Sequence, residues 1–490
     1  MKGPRTSELC AVCLIAACGA PAVHAQSDRE SLAAKATQAR SAAGGYISWR
    51  EHLVDDEGIG GVMLRGSDGL VMADLDGDGH LDIVSVHESD DQYDGVPEGH
   101  VRIAFGSADP DLWERVTLAE GPEAGAAEDV AVGDLNGDGH LDVVVACELA
   151  HVIYFENPGD GVRDARWPRL IPGATTQRGS FIRVFLADLN GDGHPEVITA
   201  NKGAQDPRQA ALEPRPISFF EIDGNPLEHE AWVEHTLKEV PWPINSQPAD
   251  LDRDGDVDVI GGSVAEGRIM WFQNIGAGNG ELSFTEHPLD VAPVDSPAGG
   301  AAQPSLAVNG FNMELVDLNE DGRLDIVTFD TRQLIGVNLV WLEQPENITD
   351  AWPLHRIGEY APDALVGIAV ADIDDDGRPD IMTGGYSLGS RTGDDAPSPT
   401  GSLGRLAWFE NPGDPRAAWI RHDFSRRARG MYDKLLPRDM DGDGDVDFVA
   451  TRGNSGPYDG VLWLEQVRTP EPVPAFERAR EEDSPEVPLP

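Results

Sequence analysis

Short apolar runs such as Val130–Gly133 and Ile368–Ala371 are each followed by a polar stretch of nine residues and then by a second apolar run. The second runs are Ile83–Val86, Val143–Ala146, Val197–Ala200, Val259–Gly262, Ile326–Phe329, Ile381–Gly384 and Phe448–Thr451. They are β-rich and too short for helices, so run, polar stretch and run predict a hairpin. A third run, rich in aromatics, follows in each unit, as in Ile269–Gln273, Leu339–Glu343, Leu406–Glu410 and Val461–Glu465. A fourth appears at Leu112–Val116, Trp167–Leu170, Trp232–Thr236, Phe284–His287, Trp352–His355 and Trp419–His422. Seven units carry the first three runs, but only six carry the fourth. Ahead of the first unit, Ile47–His52 matches the fourth-run pattern and has no partner, so the N-terminus is expected to complete the seventh unit. That exchange makes the first and last units neighbours, and closing the array into a ring removes open sheet edges. The predicted fold is therefore all-β, a seven-bladed β-propeller of four-stranded blades over about 46–467.

The polar stretches share one grammar. Positions 1, 3 and 5 are acidic or Asn, position 6 is Gly, and position 9 is acidic. The seven sets are Asp74, Asp76, Asp78 and Asp82; Asp134, Asn136, Asp138 and Asp142; Asp188, Asn190, Asp192 and Glu196; Asp250, Asp252, Asp254 and Asp258; Asp317, Asn319, Asp321 and Asp325; Asp372, Asp374, Asp376 and Asp380; and Asp439, Asp441, Asp443 and Asp447. A hard cation such as Ca²⁺ takes six to eight oxygens, so a tight loop that aims alternate carboxylates inward suits it. Position 7 is expected to offer its backbone carbonyl and to point its side chain outward. An EF-hand is excluded, because its bidentate Glu at position 12 and its flanking helices are missing. Asn136, Asn190 and Asn319 keep an oxygen but lose a charge, so their loops are expected to bind more weakly.

Charge supports this reading. Acidic residues outnumber basic ones by 87 to 37, for a net charge of −50, which argues against nucleic acid or an anionic membrane as partner. Lys2 and Arg5, the apolar run Leu9–Ala17 and Val23-His24-Ala25 before Gln26 read as a secretory signal over 1–25. Ile15–Cys18 also fits a lipobox, which would anchor the chain through Cys18. No transmembrane segment is expected in the mature chain. Cys147 is the one cysteine beyond this segment, so no internal disulfide framework is available. Residues 26–45 read as a flexible linker, and 468–490, rich in Pro and Glu, as a disordered tail.

The seven units resemble FG-GAP or VCBS repeats, the calcium-binding blades of integrin-alpha-like propellers and of many exported bacterial proteins. The resemblance implies that the loop between strands one and two binds calcium, up to seven ions with one per blade. It also implies that ligands meet the opposite face.

On that opposite face, counting along the strands places Arg183, Lys434, His87, Lys202 and Arg452 around the axial mouth, and these are the candidate ligand-binding residues. The longest insertions, 200–216, 290–311 and 384–405, fall at the same end. The expected function is an exported binding or adhesion module for a polar glycan or protein ligand. The alternative is a carbohydrate-active enzyme of the polysaccharide lyase or sugar dehydratase type. His87, Lys202, Arg183 and Tyr432 can be assigned lyase roles by hand, but no spacing selects them. The outer-strand histidines His52, His235, His287, His355 and His422 recur one per unit, as packing residues would.

Overall fold

The computed structural model describes residues 30–89, 95–149, 151–210, 213–278, 281–293, 308–330, 338–387 and 398–490. The signal-like segment, the Cys18 lipobox, and residues 294–307 and 388–397 of the insertions 290–311 and 384–405 lie outside the described residues.

Ser31–Pro490 forms one unit of seven sheets, each built on four antiparallel strands, with a short parallel strand added to two of them. In blade 1 the chain runs through Ser67–Ala73, Asp82–His87, His100–Phe105 and Glu114–Glu120, each strand pairing with the one before it. Blades 2 to 6 repeat this meander from inner strands Ala127–Gly133, Phe181–Ala187, Pro243–Ala249, Glu314–Val316 and Ala364–Ala371. Blade 7 supplies Leu435–Arg438, Asp447–Arg452 and Gly460–Thr469 from the C-terminal end. Its fourth strand is Tyr46–Asp56, antiparallel to Gly460–Thr469 from Tyr46↔Thr469 to Asp56↔Gly460. The ring closes as its alternation of runs requires.

Burial follows from alternation in the strands. Both faces of a blade are covered by neighbours, so the core lies in the slots between sheets. Val84, Ile103 and Phe105 of blade 1 meet Val143, Val145 and Ile153 of blade 2 in one such slot. Val449, Val461 and Trp463 of blade 7 meet Leu70, Ile83 and Trp113 of blade 1 in the slot that shuts the ring. Trp271, Trp341, Trp408 and Trp463 are all fully buried, which makes this repeat position a blade core.

The outer-strand histidines pack within their own blades. His52, His287, His355 and His422 stack on Trp463, Trp271, Trp341 and Trp408 at centroid distances of 4.0, 4.6, 4.6 and 4.4 Å. Nε2 of His355 then meets Glu343 at 2.8 Å, and that of His422 meets Glu410 at 2.8 Å.

Two terminal segments differ from expectation. Residues 30–45 do not run free: Leu32, Ala33 and Ala39 are buried, and Ala42 N donates to Asp374 O at 2.7 Å. Ala33 and Ala39 pack in one cluster with Ile47, Trp49 and Phe476, a role that hydrophobic periodicity does not reveal. Residues 470–490 do not extend away either. Phe476–Glu477 pairs in parallel with Trp49 and Arg50, and Asp483 is buried against two arginines. The Pro- and Glu-rich composition forbids a core of its own, yet suits an acidic strand laid on a basic edge.

Candidate metal centres

Each acidic loop joins an inner strand to the second strand of its blade, so all seven lie at one end of the ring. Position 1 organises the turn. Asp74 Oδ1 accepts from Gly77 N at 2.8 Å and Asp78 N at 3.1 Å, while its Oδ2 accepts from Gly79 N at 3.0 Å. The bond to the position 6 amide recurs in the other loops, from Gly139 N to Asp134 at 2.9 Å through Gly444 N to Asp439 at 3.2 Å. Position 6 has φ between +88° and +98° in all seven loops, a conformation that penalises a Cβ.

Position 4 is left-handed as well, which the sequence grammar missed. Gly77, Gly137, Gly191 and Gly442 sit at φ +72°, +75°, +76° and +79°, but Arg253, Glu320 and Asp375 adopt +64°, +59° and +63° without being glycine. Four glycines in seven copies were the available signal.

Position 9 carries a second role beyond the one expected of it. Asp82 is fully buried; its Oδ2 accepts from Leu75 N at 2.8 Å and its Oδ1 from Gly106 N at 2.9 Å. Asp447 does the same with Met440 N and Gln466 N, both at 2.8 Å. This carboxylate ties the start of the loop to the end of the third strand. Burial, opposed by those backbone bonds and reinforced by neighbouring carboxylates, pushes these groups up: Asp82 to about 6, Asp325 to about 7 and Asp380 to about 8. Glu196 uses its extra length differently, accepting from Leu189 N and Asn190 Nδ2, both at 2.7 Å.

Four loops gather three carboxylates with ligand atoms within 4.8 Å of one another: Asp74, Asp76 and Asp82; Asp250, Asp252 and Asp254; Asp372, Asp374 and Asp380; Asp439, Asp441 and Asp447. The other three loops are those with Asn136, Asn190 and Asn319 at position 3. The donor set fits a hard cation on a further observation: Asp250 Oδ1 and Asp374 Oδ1 are buried with no hydrogen-bond partner. Position 7 is not always directed outward, since Arg323 and Arg378 fold back onto Asp321 and Asp376. A guanidinium near clustered carboxylates is drawn in by their field.

The loops are also stitched to neighbouring blades. Asn157 Nδ2 of blade 2 donates to Leu75 O of blade 1 at 2.9 Å, and Asn274 Nδ2 of blade 4 to Leu189 O of blade 3 at 2.8 Å. Gln344 and Gln466 repeat the bond to Leu251 O and Ile373 O, at 2.9 and 3.0 Å.

A model of the FG-GAP-like repeat matches residues 74–145, 134–199, 250–328 and 317–383, more than half of the chain. The chain belongs to the FG-GAP-like repeat family. No curated protein matches it. Among solved structures, this FG-GAP chain is similar to BBS1N in complex with ARL6DN, soaked with lead, with a TM-score of 0.44 and 11% identity over 88% of this chain and 97% of that one. It is also similar to the V. cholerae biofilm matrix protein Bap1, with a TM-score of 0.37 and 12% identity over 84% of this chain and 89% of that one. Among the described residues of the FG-GAP chain, no helix is long and apolar enough to cross a membrane.

At the opposite end of the FG-GAP ring, the residues singled out by counting are engaged internally. His87 is fully buried between Ser67 Oγ at 2.7 Å and Ser85 Oγ at 3.0 Å, and burial pushes its imidazole well below its ordinary range. Lys202 is buried in an ion pair with Glu148. Arg183 is 7% exposed and donates to Asn312 Oδ1 at 3.2 Å; Asn312 Nδ2 in turn reaches Asp433 Oδ1 at 3.1 Å and Val366 O at 2.7 Å. That network joins blades 3, 5, 6 and 7. Arg452 is buried against Asp483, and Lys434 is half-buried. Arg183, Lys202 and Arg452 thus face protein carboxylates, since a cation in an acid-rich surrounding is drawn to them.

Among the described residues, one cleft at this end is built by blades 1 to 3. Connections 95–97 of blade 1, 148–149 of blade 2, 179–180 and 203–209 of blade 3 enclose a cleft of about 440 Å³. Ser180, fully buried in its wall, has no hydrogen-bond partner for Oγ among the described residues. Pro97, Leu149 and Gln209 complete the lining.

Proposed function

We propose that the protein is an exported, calcium-stabilised binding module, with up to seven ions fixing the frame and a glycan or protein segment held in the cleft of blades 1 to 3 at the other end. The observation that carries this reading is the contrast between the two ends. Seven near-identical loops at one end spend their donors and acceptors on themselves and on a cation. The cleft at the other end is built from connections that do not repeat, which is how a rigid scaffold presents a specific site.

Calcium would be held by positions 1, 3 and 5 with the outward side of position 9, and it would offset the mutual repulsion of these carboxylates. Glycan and peptide arrays, probed with the wild-type chain and with Gln209→Trp, test the reading. The expected result is retention of a ligand by the wild type, lost in Gln209→Trp without a change in melting temperature. Retention that survives Gln209→Trp but disappears in Asp78→Ala would move the site to the loop end and overturn the proposal.

A further inference from the structure

Arg427, last in the outer strand Ile420–Arg427 of blade 6, and Arg452, last in the second strand of blade 7, are 0% and 2% exposed. A guanidinium this deep must have counter-charges, and their origin is informative. Within the blades both face Glu51, which accepts from Arg427 Nη2 at 2.7 Å and lies 3.9 Å from Arg452 Nη1. The second counter-charge comes from the C-terminal segment. Asp483 Oδ2 accepts from Arg427 Nη1 at 2.9 Å, and Asp483 Oδ1 from Arg452 Nη2 at 2.6 Å. Tyr432, fully buried among the same charges, has a hydroxyl with no hydrogen-bond partner among the described residues.

Three residues on, Glu486 accepts from Ser425 Oγ at 2.6 Å and Arg426 N at 2.9 Å. The backbone joins in as a strand would: Ala428 N donates to Pro485 O at 3.0 Å, and Val487 N to Arg426 O at 2.7 Å. Upstream, Trp49 N donates to Ala475 O at 3.0 Å, and Phe476 is buried with its ring 5.8 Å from Phe424 and under the Arg427 guanidinium at 5.2 Å. Main-chain bonds along a sheet edge, with separate pockets for Phe476, Asp483 and Glu486, are the means by which sheets recognise detached extended peptides.

The connection to the ring is short, and it meets the N-terminal segment where Thr37 N donates to Val473 O and Ala475 N to Lys35 O, both at 2.8 Å. Strand pairing ends at Tyr46↔Thr469, and Pro470, Glu471, Pro472 and Pro474 are exposed.

We propose that the outer edges of blades 6 and 7 form a recognition groove for an extended acidic peptide, filled by the chain's own residues 475–488, and that it takes the same segment from a second copy. Every contact made in cis exists unchanged in trans, so exchange costs little beyond the loss of effective concentration, and it links copies end to edge.

The test introduces a protease site at Glu471–Pro472, cuts after folding, and offers labelled peptide 472–490. Labelled peptide is expected to displace the cut segment from the folded ring, and the peptide carrying Asp483→Asn and Glu486→Gln to bind at least tenfold more weakly. The uncut chain carrying the same two substitutions should capture the native peptide, and concentrated wild type should form dimers or chains in light scattering. Unfolding on cutting, a segment that a hundredfold excess of peptide leaves in place, or equal binding by the substituted peptide would each overturn the proposal.

Discussion

At the scale of the residue, the loops turn on two left-handed positions. Replacing Gly79 by Ala puts a Cβ at φ +90° and is expected to cost about 1–2 kcal/mol, read as a lower melting temperature with and without calcium. Glu320 is the opposite case, a non-glycine at φ +59° on an exposed turn. Glu320→Gly should relieve strain and stabilise by about 1 kcal/mol in the same measurement. The cation at each candidate residue was legible as charge, but its partner was not. Arg183, Lys202 and Arg452 stood out because basic residues are scarce, and scarcity in an acidic chain is also why each faces a carboxylate far off in sequence: Glu128 and Glu148 of the neighbouring blade for the first two, Asp483 of the C-terminal segment for the third. Pairings such as Arg452 with Asp483 follow from tertiary packing and leave no periodic trace.

At the scale of the element, the acidic hairpin combines two jobs that substitution can separate. Asp441 at position 3 of the seventh loop has its carboxylate beside those of Asp439 and Asp447, so Asp441→Ala should lower the melting temperature in calcium and do little in chelator. Asp82 satisfies two backbone amides, so Asp82→Ala should destabilise in both conditions, by about 1–3 kcal/mol for each orphaned donor. The position 9 carboxyls also give the loops a pH signature. Without calcium, the folded values of about 6 to 8 at Asp82, Asp325 and Asp380 exceed the ordinary value of 3.8, so the folded state holds protons more tightly than the unfolded one. Their contribution to stability is complete below about pH 4 and is lost as pH rises through 6 to 8. Thermal melts in chelator at pH 5, 6.5 and 8 should therefore fall with rising pH, while the gain on adding calcium should grow over the same range. The hairpin was legible because seven copies align its acids. Its ties to the third strand were not, because Gly106, Asn157 and Gln466 take part through backbone amides that any residue carries.

At the scale of the whole molecule, ring closure could be read from a missing fourth run, and the slots between blades from strand alternation. The terminal cover could not: residues 30–45 and 470–490 lack strand periodicity and are ordered by edges that others provide. Deleting residues 30–56 should strip blade 7 of its outer strand and bare the Trp463 face, giving aggregates in light scattering. The side-chain bonds from Asn157, Asn274, Gln344 and Gln466 link each of four loops to the next blade. Calcium-loaded protein should accordingly melt in one sharp step and chelated protein over a broad range, as followed by calorimetry.

The pairing of Tyr46–Asp56 with Gly460–Thr469 also sets a clock. Residues 413 apart, such as His52 and Glu465, must meet before the seventh blade exists. At roughly 5–20 residues per second, the strand made first waits about 20–80 s for the strand made last. Throughout that interval the nascent chain carries an orphan edge at each end, and its six finished blades form an open arc. A stalled or truncated product is thus barred from closure whatever the quality of its individual blades, and Gly460–Thr469, made last, decides whether Tyr46–Asp56, made first, has a place to go.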